Sequence, residues 1–79
     1  VTVFVYAHTQ QEADRWARAQ GLRPRDFRAY GDLSHPRGMQ YLADDRVVIL
    51  AGVDHRLRLV VEFNCLKSRH EPPEVWASA

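Results

Sequence analysis

The chain has 79 residues, 46% hydrophobic and 27% charged, with 11 basic and 10 acidic side chains. That is enough sequence for one domain, with too much Val, Leu and Trp for a disordered tail. The charge is too balanced for strong nonspecific nucleic-acid binding, which needs a basic excess. The balance holds along the chain: residues 1–45 carry six basic and six acidic side chains, residues 46–79 five and four. DNA binding through a local patch stays open but is not favoured. Cys65 is the single cysteine, which excludes an internal disulfide and a cysteine-built metal site within one chain. No apolar run approaches the ~18 residues of a membrane span, and no secretory leader pattern is present. A cytoplasmic protein without membrane contact is expected. Ten of the basic residues are Arg and one is Lys67, and Ala is abundant. GC-rich coding accounts for that bias more simply than selection of the guanidinium fork for phosphate.

Residues 2–7, Thr-Val-Phe-Val-Tyr-Ala, form a nearly continuous apolar run rich in β-branched and aromatic side chains, the pattern of a strand buried on both faces. Residues 9–20 predict a helix. Thr9-Gln10-Gln11-Glu12 is a capping box, and Ala13, Trp16 and Ala17 fall on one face. Gly21 is placed for the left-handed position after the helix, Leu22 for the closing apolar contact, and Pro24 blocks continuation.

Residues 26–30, Asp-Phe-Arg-Ala-Tyr, alternate as a second strand ended by Gly31-Asp32. In residues 33–45, Pro36 can open a short helix at its first position. There Met39, Tyr41 and Leu42 would pack, against the weakening effect of Gly38. Residues 46–51, Arg-Val-Val-Ile-Leu-Ala, predict a central strand. Residues 55–69 fit two patterns. Leu57, Leu59, Val61 and Phe63 alternate as in a strand, whereas Leu59, Val60, Phe63 and Leu66 share one helical face. The length and the β-α alternation favour a helix capped by Asp54. Pro72-Pro73 closes that helix, leaving residues 71–79 as a Pro-containing tail after a single domain at 1–70. Trp76 in that tail is expected to dock on the body.

The expected fold is α/β: a three-stranded, mostly parallel sheet with a β-α-β core, strand 1 central and a C-terminal helix. It is a reduced Rossmann-like or flavodoxin-like sheet. Open parallel sheets bind ligands beyond the carboxyl ends of their strands. That edge collects His8 and Thr9, then Asp32, Ser34, His35 and Arg37, then Asp54, His55 and Arg56. Three of the four histidines fall there.

Carboxylates and imidazoles suit a divalent metal, and Arg37, Arg56 and the helix-start amides suit a nucleotide or phosphate. The spacing shows no His-x-x-x-His pair, no Walker lysine and no catalytic signature. The loop Ala7-His8-Thr9-Gln10 lacks the dinucleotide glycines, so NAD or FAD is not expected and no cofactor is implied. The same residues also serve as ordinary turn and cap formers. Cys65 reads as a packed small hydrophobe and Trp16 as core. Arg15, Arg18, Arg23, Arg25 and Arg28 read as a solvated face, since Asp14 and Asp26 lie among them.

The pattern Thr9-x-x-Glu12-Ala13-x-x-Trp16-Ala17-x-x-x-Gly21-Leu22-x-Pro24, followed by Arg37-Gly38-Met39 and Asp45-Arg46-Val47-Val48-Ile49-Leu50, resembles small accessory proteins encoded by actinobacteriophages. The resemblance spans residues 3–52 and implies a phage origin and a host-cytoplasm location, with no assigned activity and no catalytic residues. The expected function is a non-enzymatic protein-interaction module, homodimeric and binding a host or phage protein. The alternatives are a nucleotide-, phosphate- or metal-binding domain at the strand edge, and a DNA-binding accessory factor.

Overall fold

The computed structural model describes residues 2–33, 39–69 and 71–77. The elements are β1 (Val3–Tyr6), α1 (Gln10–Ala19), a 3-10 turn at Pro24–Asp26, β2 (Phe27–Tyr30), β3 (Arg46–Leu50), α2 (His55–Arg69) and β4 (Glu74–Trp76). All strand pairs are parallel, in the order β2-β1-β3-β4. The register sets Val5 beside Ala29 on one side and Val48 on the other.

The expected α/β class, the parallel sheet and the C-terminal helix are all present. The sheet has four strands where three were expected. The fourth comes from the tail: Pro72-Pro73 ends α2, and the chain then runs back along β3, pairing Ile49 with Val75 and Leu50 with Trp76. β1 therefore shares the interior with β3.

The helices cover opposite faces. Val3, Val5, Val48 and Leu50 point to α1 and close a core with Ala13, Trp16, Ala17 and Phe27. Tyr6, Val47 and Ile49 point the other way, against Leu57, Val61 and Cys65 of α2. The period-2 alternation of strands turns each unbroken apolar run into two core faces. Each fully buried Val or Ile there contributes roughly 1.5–3 kcal/mol relative to exposure.

The ends of α1 follow its sequence signals. Thr9 Oγ1 accepts from the Glu12 amide at 3.1 Å. At the other end Leu22 N donates to Ala17 O and Gly21 N to Arg18 O, both at 3.0 Å. Gly21 has φ +81°, the left-handed closing geometry that only glycine adopts without strain.

Pro36 and Gly38 lie outside the described residues. Residues 39–45 form no helix; they run over the α2 face of the sheet. Tyr41 is buried there with its hydroxyl 2.6 Å from that of Tyr6, while Leu42 is exposed. The segment is tied down at both ends. The Tyr41 amide donates to Ser68 Oγ at 3.2 Å, and Ser68 donates to Asn64 O at 2.6 Å. Buried Asp45 accepts from Thr2 N at 3.0 Å and from Leu42 N at 2.9 Å. Among the described residues no helix is long and apolar enough to cross a membrane.

Candidate functional site

β1 feeds α1 toward the β2 side, and β3 feeds α2 toward the β4 side on the opposite face. The loops after β1 and β3 thus flank the point where the winding of the sheet reverses, the place where open parallel sheets hold ligands. His8, Thr9, Asp32 and Asp54 are brought together there. His8 Nδ1 lies 2.5 Å from Asp32 Oδ2, the ring N–H donating because an ionised carboxylate only accepts. Asp32 Oδ1 accepts from the Asp54 amide at 2.8 Å, and Asp54 Oδ2 accepts from the Arg56 amide at 3.1 Å at the start of α2.

Both oxygens of Asp32 are thereby engaged in joining the ends of three strands. Gly31 allows the close approach: a Cβ there would sit 2.8 Å from the Gln10 backbone nitrogen. Thr9, Asp32 and Asp54 thus each accept a backbone amide at a turn or helix start. An open cleft of about 320 Å³ lies beside them, lined by His8, Thr9, Gln10, Gly31, Asp32 and Leu33.

His55 and Arg56 stand exposed in the first turn of α2 and do not line that cleft. Ser34, His35 and Arg37 lie outside the described residues. Among the described residues no three His, Cys, Asp or Glu side chains are placed to hold a metal ion. Cys65 is buried, and burial pushes its thiol up to about 11, the behaviour of a packed small hydrophobe. In the arginine-rich region Arg18 pairs with Asp14 at 2.8 Å along α1, as suits a solvated helix face.

Trp76 docks as expected, edge-on to Trp16 with ring centroids 5.3 Å apart. Arg46 holds Glu74 of β4 through two bonds of 2.9 Å. The Pro-containing tail is therefore an edge strand, held to the body by Trp16 and Arg46.

A different surface is left over. α2 meets the sheet through Leu57, Val61, Asn64 and Cys65, not through the face shared by Leu59, Val60, Phe63 and Leu66. Leu59, Phe63 and Leu66 are 51%, 64% and 53% exposed. At 3.6 residues per turn they form a stripe on the side of the helix facing away from the sheet. Lys67 leans over Phe63 with Nζ 5.9 Å from the ring centroid. On the other flank Arg58 holds Glu62 at 2.9 Å. The sequence held the signal: α2 is apolar on two opposite sides, and the sheet can cover only one.

No protein-family model, curated protein or solved structure matches this chain.

Proposed function

We propose that this chain is a small phage-type accessory protein acting in the host cytoplasm as a non-enzymatic protein-interaction module. Its binding surface is the outward face of α2. The observation that carries this reading is the stripe of Leu59, Phe63 and Leu66, more than half exposed on a helix whose other side is already packed. A run of large apolar side chains rimmed by charge is the usual form of a protein-binding surface. The strand-edge cluster lends support from the other direction, because its carboxylate hydrogen bonds are spent on joining loops. The phage origin rests on the resemblance in residues 3–52.

The test is hydroxyl-radical footprinting of the intact chain in buffer and in extract of an actinobacterial host. Protection of Leu59, Phe63 and Leu66 in extract, with Leu33 and Leu42 labelled equally in both, is the expected result. A stripe labelled as heavily as its exposure allows in both buffer and extract would refute an α2 binding face.

The open cleft beside His8, at the point where the winding reverses, favours a second reading as a nucleotide- or phosphate-binding domain. A melting temperature unmoved by nucleotides or inorganic phosphate would remove it.

A further inference from the structure

The outward stripe of α2 has its own periodicity. Leu59, Phe63 and Leu66 are separated by four residues and then three, the spacing of successive core positions in a two-stranded coiled coil. With Phe63 at the first core position, Glu62 and Lys67 occupy the two flanking positions that face each other between parallel helices. They are five residues apart, the offset at which such flanking pairs meet. The positions a free coiled coil would leave to solvent are Leu57, Val61, Asn64 and Cys65, and these pack on the sheet.

From this pattern we infer that the occupant of the α2 face is a second copy of the chain, joined by a parallel, two-fold α2–α2 seam. This rests on the proposed role of that face and names its partner. In the seam Leu59, Phe63 and Leu66 each meet their own counterparts. Glu62 of each copy reaches Lys67 of the other, giving two symmetric ion pairs that set the helix direction. In the reverse direction, with Leu59 against Leu66, Glu62 would lie beside Glu62 of the other copy, a like-charge contact at the middle of the seam. In the parallel direction the like-charge contact is Arg56 with Arg56, one heptad before Phe63, and it falls at the exposed start of α2. Lys67 is exposed and Glu62 partly so. Arg58 Nε donates to Glu62 Oε1, and a carboxylate can accept from Lys67 of the other copy through its second oxygen as well.

The bodies do not obstruct the seam, since each sheet lies on the far side of its helix. The stripe offers on the order of 300 Å² of apolar surface per copy. Two copies together bury about 600 Å² of it, short of the total of about 1,000 Å² in a stable specific interface, so the seam is a transient one. Self-association is accordingly weak, with a Kd on the order of 10–100 μM.

The test is sedimentation velocity of the intact chain from about 1 μM to about 1 mM, a range that brackets that affinity. Wild type is expected to pass from monomer to dimer. Glu62→Lys alone and Lys67→Glu alone are each expected to weaken the dimer at least about tenfold, and their equimolar mixture to restore it, because the flanking pairs are then attractive again. Far-UV circular dichroism confirms that each variant is folded. Direction is read by cross-linking under mild oxidation: Leu59→Cys joins to itself if the helices are parallel. Buried Cys65 stays out of that reaction.

A monomer throughout the range overturns the inference. So does a dimer in which Leu59→Cys joins only to Leu66→Cys, or a charge-swapped mixture no tighter than its components. A monomer in buffer whose stripe is protected in extract would overturn the second-copy partner and leave the binding face standing. A stripe unprotected in both would remove the face as well.

Discussion

Asp45 is a single buried carboxylate on which two distant parts of the chain depend. Its oxygens accept from Thr2 N, just before β1, and from Leu42 N, in the segment lying over the sheet. Asp45→Ala leaves both amides without a partner. A hydrogen bond to an ionised group contributes roughly 1.5–3 kcal/mol, and both amides are only partly buried and can regain water, so the lower figure applies to each. The expected loss is about 3 kcal/mol, a large share of the stability of so small a domain. Urea unfolding followed by the fluorescence of Trp16 and Trp76 measures it. With a slope of about 1 kcal/mol per M, the midpoint falls by about 3 M. Asp45→Asn keeps one acceptor oxygen and is expected to lose about half as much. An Asp45→Ala midpoint within about 0.5 M of wild type, at unchanged slope, would refute the assignment of Asp45 as the tie between these segments.

Gly31→Ala is expected to lower stability by about 1–3 kcal/mol, because its Cβ meets backbone that cannot swing aside; thermal unfolding checks it, and an unchanged melting temperature contradicts the close approach to α1. The hydrogen bonds from Arg46 hold the Glu74 carboxyl below the ordinary glutamate value of 4.5. Folded Glu74 therefore binds a proton less readily than unfolded Glu74, and its contribution is present above pH 4.5 and is lost as the pH falls through the folded value. Glu74→Gln is expected to remove that part of the acid loss, read as a flatter dependence of the urea midpoint on pH below 4.5. An identical slope in both proteins would show that the Arg46 pair is not what the acid breaks.

Local chemistry made most of the fold readable. The Thr9 cap, the Gly21 stop and the unbroken runs in β1 and β3 each specify an element without reference to the rest of the chain. β4 was hidden because three residues after Pro72-Pro73 carry no pattern of their own. Its identity comes from β3, whose free edge takes up Glu74–Trp76, and from the distant partners Arg46 and Trp16. The inner face of α2 was hidden for a related reason. Leu59, Val60, Phe63 and Leu66 are the more obvious apolar set, whereas the packed face includes Asn64 and Cys65, less apolar on paper. Which side meets the sheet is set by the chain path from β3 and by Ser68, which binds Tyr41. At the strand edge, the positions of His8, Asp32 and Asp54 were legible from the alternation of elements. Their roles as a joint between loops were not, because those depend on which oxygen meets which amide.

If the outward face of α2 is a binding surface, Phe63 reports on it directly. The chain has three phenylalanines, with Phe27 buried in the core, Phe4 half-buried and Phe63 open to solvent. Fluorine NMR of the protein labelled with 4-fluorophenylalanine, followed from dilute to concentrated buffer and then in host extract, separates them. The Phe63 resonance alone is expected to shift and to lose its sensitivity to exchange of H2O for D2O. A Phe63 resonance that keeps its full solvent response in every condition would contradict a binding role for that face.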